Sequence, residues 1–223
     1  MATAALATAL GTALAIPTQA QAATAGADNS GTVEFSVFDT GAGIPRDTSF
    51  QLKDLTDYGI SQQTTEKLAA GENVGEKASN AAAAAPAGSY DVVAEWKDRD
   101  GGDAAMRQGW WNGANSGFGL AKIDQKHNLS LAAVKATTMY PRPGPTGKEQ
   151  IGPSTYNWRT DVLHVECSGW WIFRTCRVTG IQSVLAGVDY RKLDDGKAFG
   201  AVTAFCEGVP GRCPDWVRNS INI

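Results

Sequence analysis

The chain has two histidines, and each lies among residues that can move protons or hold phosphate. His127 ends the run Gly117-Phe118-Gly119-Leu120-Ala121-Lys122-Ile123-Asp124-Gln125-Lys126-His127. Read as a helix, this run sets Ile123 one turn before His127 and stacks Lys122 and Lys126 into an adjoining basic edge. Lysines holding an anion beside an imidazole that titrates near neutrality are the parts of a phosphate-handling site. An ordinary surface helix with an incidental histidine has the same spacing. His164 belongs to the alternating run Asp161-Val162-Leu163-His164-Val165-Glu166-Cys167. On a strand, Val162, His164 and Glu166 share one face, and Leu163, Val165 and Cys167 the other. Arg159, Arg174 and Arg177 are close by in sequence. RNA cleavage without metal needs a base for the 2′-hydroxyl proton, an acid for the leaving oxygen and a cation for the phosphorane. A polar pair on an exposed sheet face is the plainer reading. Both histidines serve one site only if the helix crosses the His164 face of the sheet.

The elements that must hold these residues are legible in outline. Phe118 to Met139 reads as helix with a break near Asn128, and residues 141–153 form a Pro/Gly loop. Strand-like runs follow over Tyr156–Glu166, Arg177–Tyr190 (interrupted at Gly180 or Gly187) and Phe199–Phe205. Asp195-Gly196 signals a hairpin between the last two. Upstream, residues 32–38 alternate with period two, Phe50–Leu55 forms a second short strand, and Gln62–Leu68 a helix entered from Ser61. Tyr90–Trp96 reads as strand, Lys97–Asp103 as a charged turn and the Ala-rich stretch 78–88 as a linker. The order predicts an α+β protein: a helix packed on an antiparallel meander, preceded by a small acidic region containing strands.

The stretch GFGLAKIDQKHN, followed by antiparallel strands ending in DDGKAFGAVTAF, resembles the toxin ribonucleases of the barnase–EndoU–colicin E5–RelE class. The similarity covers about residues 115–206. It implies that His127 is the helix histidine, Lys126 or Lys122 its associated base, and Thr203 a strand hydroxyl facing the site, with Phe205 where an aromatic often stands. The Pro/Gly loop, the disulfides and the acidic front half lie outside the family's pattern.

Composition narrows the class. The chain has 223 residues, of which 19 % are charged and seven are Trp, which excludes a disordered chain. Its net charge of −3 hides a split. Residues 1–103 carry 14 acidic and 6 basic side chains, and residues 104–223 carry 9 and 14. A uniformly basic nucleic-acid binder is excluded, and what remains is an acidic half joined to a basic one. Residues 1–22 read as a signal peptide lacking a basic n-region, which predicts secretion. Cys167, Cys176, Cys206 and Cys213 are an even set without C-x-x-C spacing, so disulfides are expected rather than zinc. Of three possible pairings, Cys167–Cys176 with Cys206–Cys213 closes the shortest loops.

The resulting expectation is an exported, bacterial, metal-independent endoribonuclease acting as toxin or effector. Its parts are a signal peptide over 1–22, a flexible start over 23–31, an acidic region over 32–97, a connector over 98–115 and a basic domain over 116–223. His127, Lys126, His164, Glu166 and Thr203 carry the catalysis; Lys122, Arg159 and Arg177 bind the RNA. No cofactor is needed, an immunity or inhibitor protein is a possible partner, and the mature form has no membrane association. The alternative is a secreted binding or inhibitor protein using loops around Trp110-Trp111 and Trp170-Trp171, although core packing is the plainer role for both pairs. P-loop, H-E-x-x-H and G-x-S-x-G motifs are absent from the sequence. A cell-wall hydrolase would need paired carboxylates on a cleft, and Asp194-Asp195 is better explained by the hairpin turn.

Overall fold

The computed structural model describes residues 31–75 and 88–221, so the expected leader, nearly all of the 23–31 start and nearly all of the Ala-rich stretch lie outside the described residues. The alternating residues form β1 (Val33–Phe38). β2 (Phe50–Gln51) is shorter than expected, because the chain turns into a 3-10 helix (Leu52–Thr56) that buries Leu52 and Leu55. Ser61 caps α1 (Gln62–Ala69), its hydroxyl accepting from the Thr64 amide at 3.1 Å. β3 (Val92–Lys97) and β4 (Asp103–Arg107) form a hairpin about the charged turn, and β5 (Trp110–Trp111) pairs with β6 (Gly117–Phe118). The expected helix is interrupted at Asn128, giving α2 (Gly119–His127) and α3 (Leu131–Met139). β7 (Lys148–Gln150) lies in the Pro/Gly loop, followed by β8 (Thr155–Ser168), β9 (Thr175–Lys192), β10 (Ala198–Cys206) and α4 (Asp215–Arg218). The protein is mixed helix and antiparallel sheet, of α+β type.

One six-stranded sheet organises the molecule in the order β1-β8-β9-β10, with β2 paired to β9 and β7 to β8. β9 runs as one strand; near Gly180, one of the two interruptions expected, it carries a bulge in which Thr179 is left unpaired between Gly180↔His164 and Val178↔Val165. Both faces of the sheet are covered. On one, Phe38, Trp158, Val162, Val184 and Ala186 pack with Ile123 of α2 and Ala133 and Val134 of α3. On the other, Val37, Leu163 and Val165 pack with Leu52, Leu55 and Leu68.

Residues from both sides of the expected connector at 98–115 take part in this arrangement. β1 is hydrogen-bonded to β8 from Val33↔Cys167 to Phe38↔Val162, and both hydrophobic clusters mix front-half with back-half residues. β1 and β2 of the acidic half are therefore strands of the six-stranded sheet, whereas β3 pairs only with β4 in a separate two-stranded sheet. The charge split is absorbed by pairs that cross it: Lys197 with Glu95 at 2.5 Å, Lys148 with Asp100 at 2.5 Å, and Lys192 with Asp103 at 3.5 Å. These are solvent-exposed pairs, each contributing at most about 1 kcal/mol, so they match charge more than they stabilise.

The helix break at Asn128 is built by its side chain. Asn128 adopts the left-handed conformation (φ 57°), which an asparagine tolerates better than most residues. Its Nδ2 donates to the Cys213 carbonyl at 2.9 Å and to Asp215 at 2.8 Å, and its Oδ1 accepts from Arg212 at 2.9 Å. Asn128-Leu129-Ser130 matches a glycosylation sequon, yet the side chain is buried and fully engaged. Asn128→Ala is expected to lower the unfolding free energy by about 1–3 kcal/mol in urea titration. Folded protein secreted from a glycosylating host is expected to show no glycan mass.

Asp195, at the hairpin between β9 and β10, accepts both guanidinium nitrogens of Arg107 at 2.8 and 3.1 Å. That pairing, helped by the Lys197 amide, holds its carboxyl down at about 2. A depressed carboxyl contributes stability that is full above its unfolded value, near 4, and lost as the pH falls from there through about 2. The melting temperature should decline over that window, and Asp195→Asn should make the decline shallower.

Candidate functional site

β1 turns Val33, Phe35 and Val37 into the core that holds Leu52 and Leu55, which leaves Glu34, Ser36 and Phe38 on the opposite face. The register sets Ser36 directly across from His164, and Glu34 across from Glu166. The Ser36 carbonyl accepts outward from the Ile221 amide at 2.7 Å. The Ser36–His164 pair is thus of the kind without direct ladder bonds, in which facing side chains stand closest. Ser36 Oγ lies 3.0 Å from His164 Nδ1, and Glu34 Oε2 lies 3.9 Å from His164 Nε2. The Trp216 indole stacks on the imidazole with centroids 5.1 Å apart and planes tilted by 31°. Hydroxyl, carboxylate and indole together limit how the imidazole can turn.

Beside this pair opens a cavity of about 190 Å³. Leu68, Val74 and Ile221 supply apolar wall, and Asn73 and Asn219 line it with the His164 ring. Sites that enclose whole drug-sized molecules run to roughly 300–1,000 Å³, so this space suits one ring or one small group. The next row of the same sheet face reads Glu34, Glu166, Arg177, with Arg177 bonded to Glu166 at 3.4 Å. Opposite His164 on β9 stands Gly180, whose absent side chain leaves that flank of the imidazole open. Two carboxylates, an imidazole, a hydroxyl and a guanidinium therefore share one patch, enough for paired proton transfer next to a cation.

The other expected site residues are elsewhere. His127 ends α2 at the opposite edge of the sheet, its ring 5.8 Å from Phe205 and its Nδ1 3.3 Å from the Gly211 carbonyl. Phe205 pairs with Leu185, and Leu185 with Arg159, five residues from His164 along β8. The two histidines are thus separated by roughly 16 Å along the strand and two strand spacings, roughly 10 Å, across it. α2 packs on β10 and does not cross the His164 face. Burial lowers the His127 pKa, a shift to which Lys126 and Lys122 add and which the Gly211 bond opposes. Its backbone carbonyl also accepts from the Cys213 amide, so His127 anchors the Cys206–Cys213 loop. Lys126 bonds Asn115 at 3.3 Å, and burial lowers the pKa of Lys122. Thr203 faces Gly187 on the β9–β10 ladder.

The arginines divide in the same way. Arg159 is held by Glu207 and Glu149, both at 2.9 Å, and Arg174 is buried with a bond to the Ala69 carbonyl at 2.7 Å. Only Arg177 of the three stands on the His164 patch. The Gly-Phe-Gly of the supposed helix start has a structural use: a Cβ on Gly117 would meet the Trp110 carbonyl at 2.2 Å, and one on Gly119 the Arg107 carbonyl at 2.6 Å. Cys167–Cys176 and Cys206–Cys213 are both bonded, and no cysteine is free among the described residues.

Sequence reasoning missed Glu34, Ser36 and Trp216. The only signal was that Glu34 and Ser36 occupy the polar phase of an alternating strand, which does not say what lies opposite. No family model, curated protein or solved structure matches this chain.

Proposed function

We propose that the protein is an exported ribonuclease that cleaves RNA by 2′-oxygen transesterification, with the patch around His164 as its site. The observation that carries the reading is the juxtaposition of Glu34, Ser36, His164, Glu166 and Arg177 on one sheet face beside a ring-sized cavity. In this scheme Glu34 takes the 2′-hydroxyl proton. The freed oxygen attacks phosphorus, a 2′,3′-cyclic phosphate forms, and the bond to the 5′-oxygen breaks. His164 gives the departing 5′-oxygen its proton, and Ser36 orients the ring. Arg177, held by Glu166, faces the charge that builds on the phosphorane. The apolar walls and the Asn73 and Asn219 amides suit a splayed base read on its edge. The residues therefore differ from the sequence-based set: Glu34 joins His164 as the acid–base partner, and His127, Lys126 and Thr203 leave it. Two disulfides accord with an oxidising compartment.

The test is incubation of the full chain with a labelled single-stranded RNA in EDTA. Fragments ending in 2′,3′-cyclic phosphate are expected, together with resistance at any position carrying a 2′-deoxy sugar. Intact RNA, or equal cutting of the deoxy-substituted strand, overturns the proposal.

A further inference from the structure

The Cys167–Cys176 loop presents its aromatics to solvent, contrary to the core role expected of them. Trp170 is 58 % exposed, Trp171 41 % and Phe173 55 %, with Ile172 half-buried between them. The loop is held firmly in this posture. The disulfide closes its base, Phe50 and Gln51 of β2 pair with Cys176 and Thr175, and the buried Arg174 guanidinium donates to the Ala69 and Trp171 carbonyls. Trp171 adopts φ 45°, a left-handed conformation that is costly for a bulky residue and persists only when its surroundings impose it. A rigid apex that spends backbone strain on exposing three aromatic rings is built to meet something apolar.

We infer that this apex inserts into the headgroup–acyl boundary of a lipid bilayer. Three observations select that occupant. The three rings offer on the order of 300–400 Å², well short of the roughly 800 Å² per partner of a stable protein interface. Trp170 and Trp171 stand edge to face at 74°, so they form no flat shelf for a sugar ring or a base. The sequence Trp-Trp-Ile-Phe puts four apolar side chains in a row at the hairpin tip, the composition that partitions to the membrane interface. The apex itself, from Ser168 to Phe173, carries no charged side chain, and two of the nearby cations are paired, Lys53 with Asp54 and Arg177 with Glu166. Attachment is therefore expected to follow apolar area rather than lipid charge. Among the described residues no helix is long and apolar enough to cross a membrane, so the contact is peripheral. This departs from the expectation of a mature form with no membrane association.

The experiment is co-sedimentation of the full chain with phosphatidylcholine vesicles, repeated with an anionic lipid added and at raised salt. Wild type is expected to sediment with both vesicle types, insensitive to salt, with tryptophan emission shifted to the blue and quenched by lipids brominated near the headgroup. W170S/W171S/F173S should bind at least about tenfold less, and F173S alone should bind intermediately. Trp110→Ser, which removes another exposed indole, should bind as wild type. Comparing full chains cancels any contribution from apolar residues 1–22. Absence of wild-type binding, equal binding by the triple variant at an unchanged melting temperature, or salt-sensitive binding that needs anionic lipid would overturn the inference.

Discussion

His164→Gln is expected to slow RNA cleavage by about 10²–10⁴-fold, the range lost when a positioned acid or base is removed. Glutamine keeps approximate volume and an acceptor for Ser36, so packing against Trp216 should survive and the loss should fall on the chemical step. Glu34→Gln should cost a similar factor. In both variants the single-turnover rate should fall while RNA binding is retained, an outcome that a merely structural role for either residue would not produce. His127→Gln is the informative control. Its imidazole contacts Phe205 and Gly211 on the far edge of the sheet, so cleavage should stay within about twofold, with a lower melting temperature if anything changes. A His164→Gln protein as active as wild type, or a His127→Gln protein as inactive as His164→Gln, would move or abolish the assigned site.

The second large effect concerns stability. Arg107 is 1 % exposed, and its guanidinium donates to the carbonyls of Tyr90, Ala198 and Phe199 as well as to Asp195. It thereby ties β4 and the segment before β3 to the hairpin that opens β10. Methionine would fill the space of its aliphatic stem but leave those carbonyls without a donor, at about 1–3 kcal/mol for a buried unsatisfied group. Allowing for relaxation, Arg107→Met should lower the unfolding free energy by about 3 kcal/mol and the melting temperature by on the order of 10 °C. Arg177→Met, at a guanidinium 71 % exposed, should change stability by less than about 0.5 kcal/mol while impairing cleavage. Thermal unfolding and the RNA assay on both variants would separate a structural arginine from a functional one. An Arg107→Met protein as stable as wild type would refute the clamp.

What could be read along the chain was whatever neighbouring residues decide among themselves. The alternation over 33–38, the Ser61 cap, the turn at Asp195-Gly196, the helix break at Asn128 and the two short disulfide loops are all of this kind. β7 and the 3-10 helix after Gln51 were not legible, since neither has a period of its own. The exposure of Trp170 and Trp171 was misjudged because hydrophobic type favours burial but does not impose it; the disulfide and the buried Arg174 keep this loop from folding inward.

The sequence by itself determined the repertoire: two imidazoles with carboxylates and cations close by, an even set of cysteines in short loops, and segments whose periods make strands and helices. Tertiary structure alone decided which of these meet. His164 acquires Ser36 as a partner 128 residues away through the β1–β8 register, whereas His127 is set against the Cys206–Cys213 loop by the packing of α2 on β10. The physical reason is that strand pairing is chosen by burial on both faces of a shared sheet. A shift of one residue would turn Val37 and Phe38 to the wrong sides, so the cores fix the register and the register brings the polar residues together. The same constraint joins the acidic front to the basic back, which no count of charges could have shown.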